Sequence, residues 1–123
     1  MKQNICENNS IKDRKNQVAV IMGDGVGPEM MRAALRVLKK ICNKYNKKIE
    51  IVVVEAAGDA VMKYGDPLPG FSVEICKKSD AVLFGNSGLS RFRDYPLEKR
   101  PEYALLKLRK ELQVTTNIRP VHI

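Results

Sequence analysis

At 123 residues the chain is one domain long on a prior of roughly 100–200 residues per domain, and 44% apolar residues can build a core rather than a disordered tail. Lys and Arg number 22 against 14 Asp and Glu, a formal charge of +8 that raises nucleic acid as a partner. The basic residues are spread along elements that read as helices, with few aromatics between them. A solvated polar face accounts for them, so no nucleic-acid partner is expected. No apolar run is long enough to cross a membrane, so no membrane partner is expected either.

Residues 1–16 are polar and charged, lack the apolar segment of a signal peptide, and read as a flexible leader; residues 17–123 read as the folded part. Cys6, Cys42 and Cys76 are odd in number and widely spaced, with no CxxC pair. That argues against a disulfide framework or a zinc site and for reduced thiols in the cytoplasm. His122 has no Cys or His beside it and is expected to face solvent.

Residues 18–22 form a short apolar run ending in glycines, a buried strand. Pro28 and Glu29 suit the first turn of a helix, which Met31, Leu35, Leu38, Ile41, Cys42 and Tyr45 continue as one apolar face. Residues 49–55, rich in valine and isoleucine, are a second strand. A short helix over 58–64 is stopped by Gly65-Asp66-Pro67. A helix over 71–78 and a strand over 80–84 follow. Residues 89–99 show no clear period and read as a loop, 101–112 as a helix, and 114–121 as a fourth strand. Strands alternating with helices predict an α/β fold with a largely parallel sheet and flanking helices.

Gly23-Asp24-Gly25-Val26-Gly27 follows the first strand and opens a helix, as a dinucleotide-binding turn does. The spacing is wrong for one. The third glycine arrives one residue early, Pro28 takes the place that glycine needs, and only Glu55 mimics the ribose-binding acid. A tight strand-to-helix turn is the expected role. The predicted helix over 101–112 is more informative. Glu102, Leu105, Leu106 and Arg109 are spaced i, i+3, i+4, i+7 and share one face. Arg109 offers a guanidinium fork for a carboxylate and the leucine pair an apolar wall, a pattern suited to a small acid with a hydrocarbon branch. The alternative is an ordinary amphipathic helix whose charged ends reach water.

Read together and in order, Val18–Glu29, Gly65–Pro69, Cys76–Gly85, Leu105–Leu112 and Asn117-Ile118-Arg119-Pro120-Val121 resemble the amino-terminal part of the isopropylmalate dehydrogenases, which belong to the decarboxylating β-hydroxyacid dehydrogenases. The resemblance spans residues 17–123. It implies a non-Rossmann fold whose adenine-binding loops lie in a later segment. It also implies an NAD-dependent oxidation and decarboxylation of 3-isopropylmalate to 2-oxoisocaproate in leucine biosynthesis, with Mg2+ or Mn2+ as metal and a homodimer as the family's assembly.

By the same resemblance Arg109 and Arg119, ten residues apart, hold the carboxylates of the dicarboxylate substrate. Leu105 and Leu106 contact its isopropyl branch, and Glu102 lies near the nicotinamide ribose. An isocitrate-type enzyme needs a polar group where this leucine pair offers hydrocarbon, so an alkylmalate is favoured, with tartrate or another malate analogue as the alternative. Where relatives carry a Gly-Gly-Pro-Lys-Trp-like segment, this chain has Asn86-Ser87-Gly88-Leu89-Ser90-Arg91-Phe92-Arg93-Asp94, in which only Gly88 and Asp94 compare as cofactor contacts. The family's third substrate arginine, its catalytic tyrosine and lysine and its metal-binding aspartates fall after Val121. No catalytic residue and no metal ligand is therefore assigned within the chain. Alone it is expected to be inert, marginally stable and exposed along its sheet edges, or to serve as a non-catalytic module that keeps an arginine-lined carboxylate pocket.

Overall fold

A computed structural model of the chain describes residues 16–122. All but the last residue of the expected leader, and Cys6 with it, lie outside the described residues. Strands β1 (Asn16–Ile21), β2 (Ile49–Val53) and β3 (Ala81–Phe84) form one parallel sheet in the order β2-β1-β3. Ala19 pairs in register with Val52 on one side and Val82 on the other. The central place of β1 explains its unbroken apolar run: Ala19, Val20 and Ile21 are all buried, because both faces of that strand are covered.

Helix α1 (Gly27–Lys44) connects β1 to β2, and α2 (Ala57–Tyr64) with α3 (Gly70–Lys78) connects β2 to β3. The two connections run across the sheet in opposite directions, so the right-handed crossover rule places them on opposite faces. On the α3 side, Ala19 and Ile21 pack with Val73, Cys76, Ala104 and Leu108, and Val82 and Phe84 close the cluster. Burial pushes the Cys76 thiol pKa up, so this cysteine is a core hydrophobe.

Pro28 and Glu29 do open α1. Met31 is buried and Leu35, Leu38 and Cys42 are half-buried, one stripe along the helix. Ile41 and Tyr45 depart from the expected face and are exposed: Ile41 lies off the stripe, and Tyr45 falls just past the end of the helix. Strand β2 is an edge, and its Ile51 and Val53 are exposed, Val53 at 63%. The β2 edge thus presents exposed apolar side chains.

Helix α4 (Tyr103–Glu111) buries Ala104 and Leu108, one turn apart, against the same core as α3. Lys77 of α3 donates to Glu111 of α4 at 2.8 Å across an exposed gap. The Lys77 hydrogen bond holds the Glu111 carboxyl below its ordinary range, and Glu111 in turn raises Lys77. The sign is definite. A carboxyl lowered by folding stabilises above its unfolded pKa, near the ordinary value of 4.5, and loses that contribution as pH falls through the folded value. Glu111→Gln is therefore expected to melt slightly below the wild type at neutral pH and to coincide with it in strong acid, as thermal melts across pH 3–7 would show.

Two readings are corrected. Residues 114–122 are not a fourth strand; they have no regular structure and are exposed throughout, Ile118 at 81% and Val121 at 82%. β-propensity is realised only against a partner edge and a covered face, and this segment has neither here. The 89–99 loop is more ordered than its composition suggests. It contains two short 3-10 turns, Ser90–Phe92 and Leu97–Lys99, anchored by Phe92, which is buried and packs edge-on against Tyr95 at 5.2 Å.

Candidate functional site

The carboxyl ends of β1 and β3 lie side by side, and their outgoing chains leave toward opposite faces of the sheet, α1 on one and α4 on the other. Open parallel sheets bind ligands at such a switch point. The glycine loop sits there, and its role is to let backbones touch. A Cβ on Gly23 would overlap the Asn86 carbonyl oxygen, and one on Gly27 would fall 2.7 Å from the Met22 carbonyl oxygen. The Asp24 amide donates to the Asn86 carbonyl at 2.6 Å, zipping the two strand ends together. Gly23 at φ +80° also needs the left-handed region. The turn is a junction between loops. Glu55, the mimic of a ribose-binding acid, is occupied by its own neighbours: Lys63 pairs with it and the Tyr64 hydroxyl donates to it at 2.6 Å. The Lys63 hydrogen bond, then that of Tyr64, lowers the Glu55 carboxyl pKa.

Beside this junction stands α4. Ala104 and Leu108, with Pro101 in the turn leading in, are its buried side, so the opposite side carries Leu105, Leu106 and Arg109 with Glu102 at the amino-terminal cap. The helix thus brings these four expected site residues to one face. That face is open: Glu102 and both leucines are exposed, Leu106 at 55%. Arg109 is half-buried and has no carboxylate partner among the described residues. Leu105 also edges a cleft of about 390 Å³ that runs between α3, β3 and α4 past Phe84, Leu108 and Val114.

Gly88 lies against Glu102. Gly88 has φ +119°, and a Cβ there would fall 2.6 Å from Glu102 Oε1, so glycine lets the loop approach the carboxylate without displacing it. Two of the three residues compared with cofactor contacts are thereby adjacent. Asp94 is exposed on the turn before Tyr95 and makes no hydrogen bond or ion pair among the described residues. Arg119 is exposed in the irregular segment and is not held against Arg109 by any element. His122 is exposed as expected.

Three structural residues carry no signal that local sequence reasoning could detect. Lys107 reaches from α4 to Asp66 Oδ2 at 2.9 Å and to the Leu68 carbonyl at 2.9 Å, pinning the helix to the 65–69 turn with its Glu102–Arg109 side outward. Asp66 also accepts the Leu68 amide at 2.9 Å, which shapes that turn. Asp24 is the third. Lys107 and Asp66 are 41 residues apart, so no local pattern could have joined them.

One face thus carries a half-buried arginine with no acidic partner among the described residues, two exposed leucines and a carboxylate set against a glycine loop. No group of three His, Cys, Asp or Glu side chains that could hold a metal ion occurs among the described residues.

Comparison with known proteins decides the family. The model of the isocitrate/isopropylmalate dehydrogenases matches residues 17–123. This chain belongs to that family. The 3-isopropylmalate dehydrogenase of Aquifex aeolicus is 44% identical over 110 residues, 89% of this chain and 30% of its own length. That of Clostridium acetobutylicum is 46% identical over 110 residues, again 89% of this chain, and 31% of its own. A β-decarboxylating dehydrogenase of Thermococcus kodakarensis, solved in its apo form, superposes with a TM-score of 0.64 at 35% identity, over 80% of this chain and 27% of that one. The chain spans about 30% of the length of the curated relatives it matches. The parallel sheet with flanking helices is thus the α/β architecture of a decarboxylating dehydrogenase, as the sequence motifs implied.

Proposed function

We propose that residues 17–123 form the substrate-facing portion of an NAD-dependent, decarboxylating dehydrogenase of the cytoplasm whose substrate is 3-isopropylmalate. The observation that carries the reading is the open face of α4, where an arginine with no acidic partner among the described residues stands one turn from two exposed leucines. NAD, when bound, accepts the hydride from the hydroxyl carbon. The chain's own residues orient the reactants. Arg109 grips a malate carboxylate with two parallel N–H donors, and Arg119 takes the second when the 114–122 segment lies against the substrate. Leu105 and Leu106 cover the isopropyl branch and leave no polar partner for a third carboxylate. Glu102, resting on Gly88, faces the nicotinamide ribose as a hydroxyl acceptor. Asp94 is proposed as a further cofactor contact, on the resemblance of the 86–94 loop alone. The groups that polarise the hydroxyl, and the Mg2+ or Mn2+ with its ligands, are proposed to come from the remainder of the family's length, as is the homodimer.

A hybrid enzyme tests this. Residues 17–123 would replace the matching segment of the Aquifex aeolicus relative, and NADH formation would be followed at 340 nm. The hybrid is expected to oxidise 3-isopropylmalate and to reject isocitrate by at least about tenfold in kcat/KM, the scale of about 1–3 kcal/mol for a hydrocarbon pocket. Preference for isocitrate or tartrate would overturn the substrate assignment, and an inactive but folded hybrid would overturn the enzyme reading.

A further inference from the structure

Asp24 is a buried carboxylate, 4% exposed, and has no cation beside it among the described residues. Its two oxygens go to two different loops. Oδ1 accepts the amide of Gly58 at 2.8 Å, at the start of α2, and Oδ2 accepts the amide of Gly88 at 3.0 Å, in the loop after β3. Its own amide donates to Asn86 in that same loop. Burying a charge without a counter-ion is unfavourable unless hydrogen bonds replace its water, and here two backbone donors do.

Helix capping alone does not require this residue. Serine, threonine or asparagine could serve the Gly58 amide. Only a carboxylate can accept from two amides at once on separate oxygens, since the amide group of asparagine would turn a donor toward one of them. The glycines fit the same purpose. A Cβ on Gly58 would fall 2.5 Å from Asp24 Oδ1, so glycine is what lets the carboxylate approach. Ala57, just before it, holds a left-handed φ of +60°, a conformation that persists where neighbours enforce it: its amide donates to Pro67 at 2.8 Å, and the next amide to Asp24.

Gly88 is therefore held between two carboxylates. Asp24 binds its amide on one side, and Glu102 rests against its Cα on the other. We propose that Asp24 is a positioning residue whose forked carboxylate fixes the 85–89 loop and, through Gly88, the place of the Glu102 carboxylate. The relevance to cofactor binding rests on the function proposed above. The clamp itself does not.

The test uses the full 123-residue chain, isotopically labelled, with amide hydrogen exchange and side-chain carboxyl resonances read by NMR. In Asp24→Asn, one fork bond is lost. Exchange at Gly88 or Gly58 is expected to rise at least about tenfold, the Glu102 carboxyl carbon to shift, and the central-strand amides of Ala19 and Val20 to stay protected. A residue that merely supported the fold would leave Glu102 unmoved or loosen all these amides together. Unchanged exchange at both glycines, or an unchanged Glu102 resonance, overturns the proposal. Should Asp24→Asn lose its dispersed spectrum, Gly88→Ala decides. Its methyl is expected to displace Glu102 and, through Asp24, to shift the Gly58 amide; an unmoved Gly58 overturns the link. A separate titration of the wild type with NAD reads the cofactor assignment alone. Resonances of Gly88 and Glu102 that ignore NAD would remove the cofactor role from Glu102 while the exchange data still decide the clamp.

Discussion

Replacing Arg109 with alanine in the hybrid enzyme is expected to lower kcat/KM for 3-isopropylmalate by about a hundredfold or more, the largest kinetic effect of any single change in this segment. The magnitude follows from the hydrogen bonds that alanine cannot make. A charge-assisted hydrogen bond contributes about 1.5–3 kcal/mol, and a guanidinium fork makes two to one carboxylate. Non-additivity keeps the total near the lower part of the doubled range. Lysine is expected to recover only a small part of the loss, because a single ammonium restores the charge without the paired geometry that orients a dicarboxylate. KM and kcat should both suffer, since a substrate held less squarely spends less time in line with its acceptor. Steady-state kinetics on Arg109→Ala, Arg109→Lys and the parent hybrid check this. A lysine variant equal to the parent would show that Arg109 acts as a point charge only. Arg109 has no acidic partner among the described residues, whereas Lys77, Lys63 and Lys107 all have one.

Gly23→Ala is expected to be the most damaging small substitution for stability, costing about 2–5 kcal/mol from a left-handed backbone with a Cβ and from overpacking against a neighbouring carbonyl. The added methyl would meet the Asn86 carbonyl oxygen, which is backbone and cannot swing aside. Moving it would also break the Asp24–Asn86 bond that joins the ends of β1 and β3. Gly70→Ala is the control. Gly70 opens α3, has nothing within 4 Å of a built Cβ and is not in the left-handed region, so alanine there is expected to stabilise by about 0.4–1 kcal/mol by restricting the unfolded chain. Urea melts of both variants and the wild type check the two signs at once. Equal destabilisation at the two sites would mean that the loop junction does not depend on the Gly23 contact.

The same two glycines show how far local sequence reasoning reaches. A glycine beside a strand end predicts a turn whether or not another loop touches it. Residues 23–27 were legible as a strand-to-helix turn, and their wrong spacing for a dinucleotide fingerprint was legible too. That Asn86 is what the turn accommodates was not, because the contact joins segments more than sixty residues apart in sequence, as the Asp24–Gly88 bond does with a separation of 64. The 114–121 segment shows the converse. Its β-branched residues favour an extended chain, but a strand exists only when another backbone accepts its hydrogen bonds, and the structure has no strand there.

The sequence by itself determined the alternation of strands and helices, the parallel sheet and the shared face of Glu102, Leu105, Leu106 and Arg109. These follow from periods of two and 3.6 residues and from turn chemistry, which act over one or two turns of chain. Only the tertiary structure decided which side of α4 is buried, that Phe92 anchors the 89–99 loop, that Glu55 is taken by Lys63 and Tyr64, and that Asp24 grips two loops at once. Those outcomes depend on which distant atoms arrive within about 3 Å of one another, the range at which hydrogen bonds form and side chains collide. Periodicity carries no information about that meeting; the packing of helices on the sheet sets it.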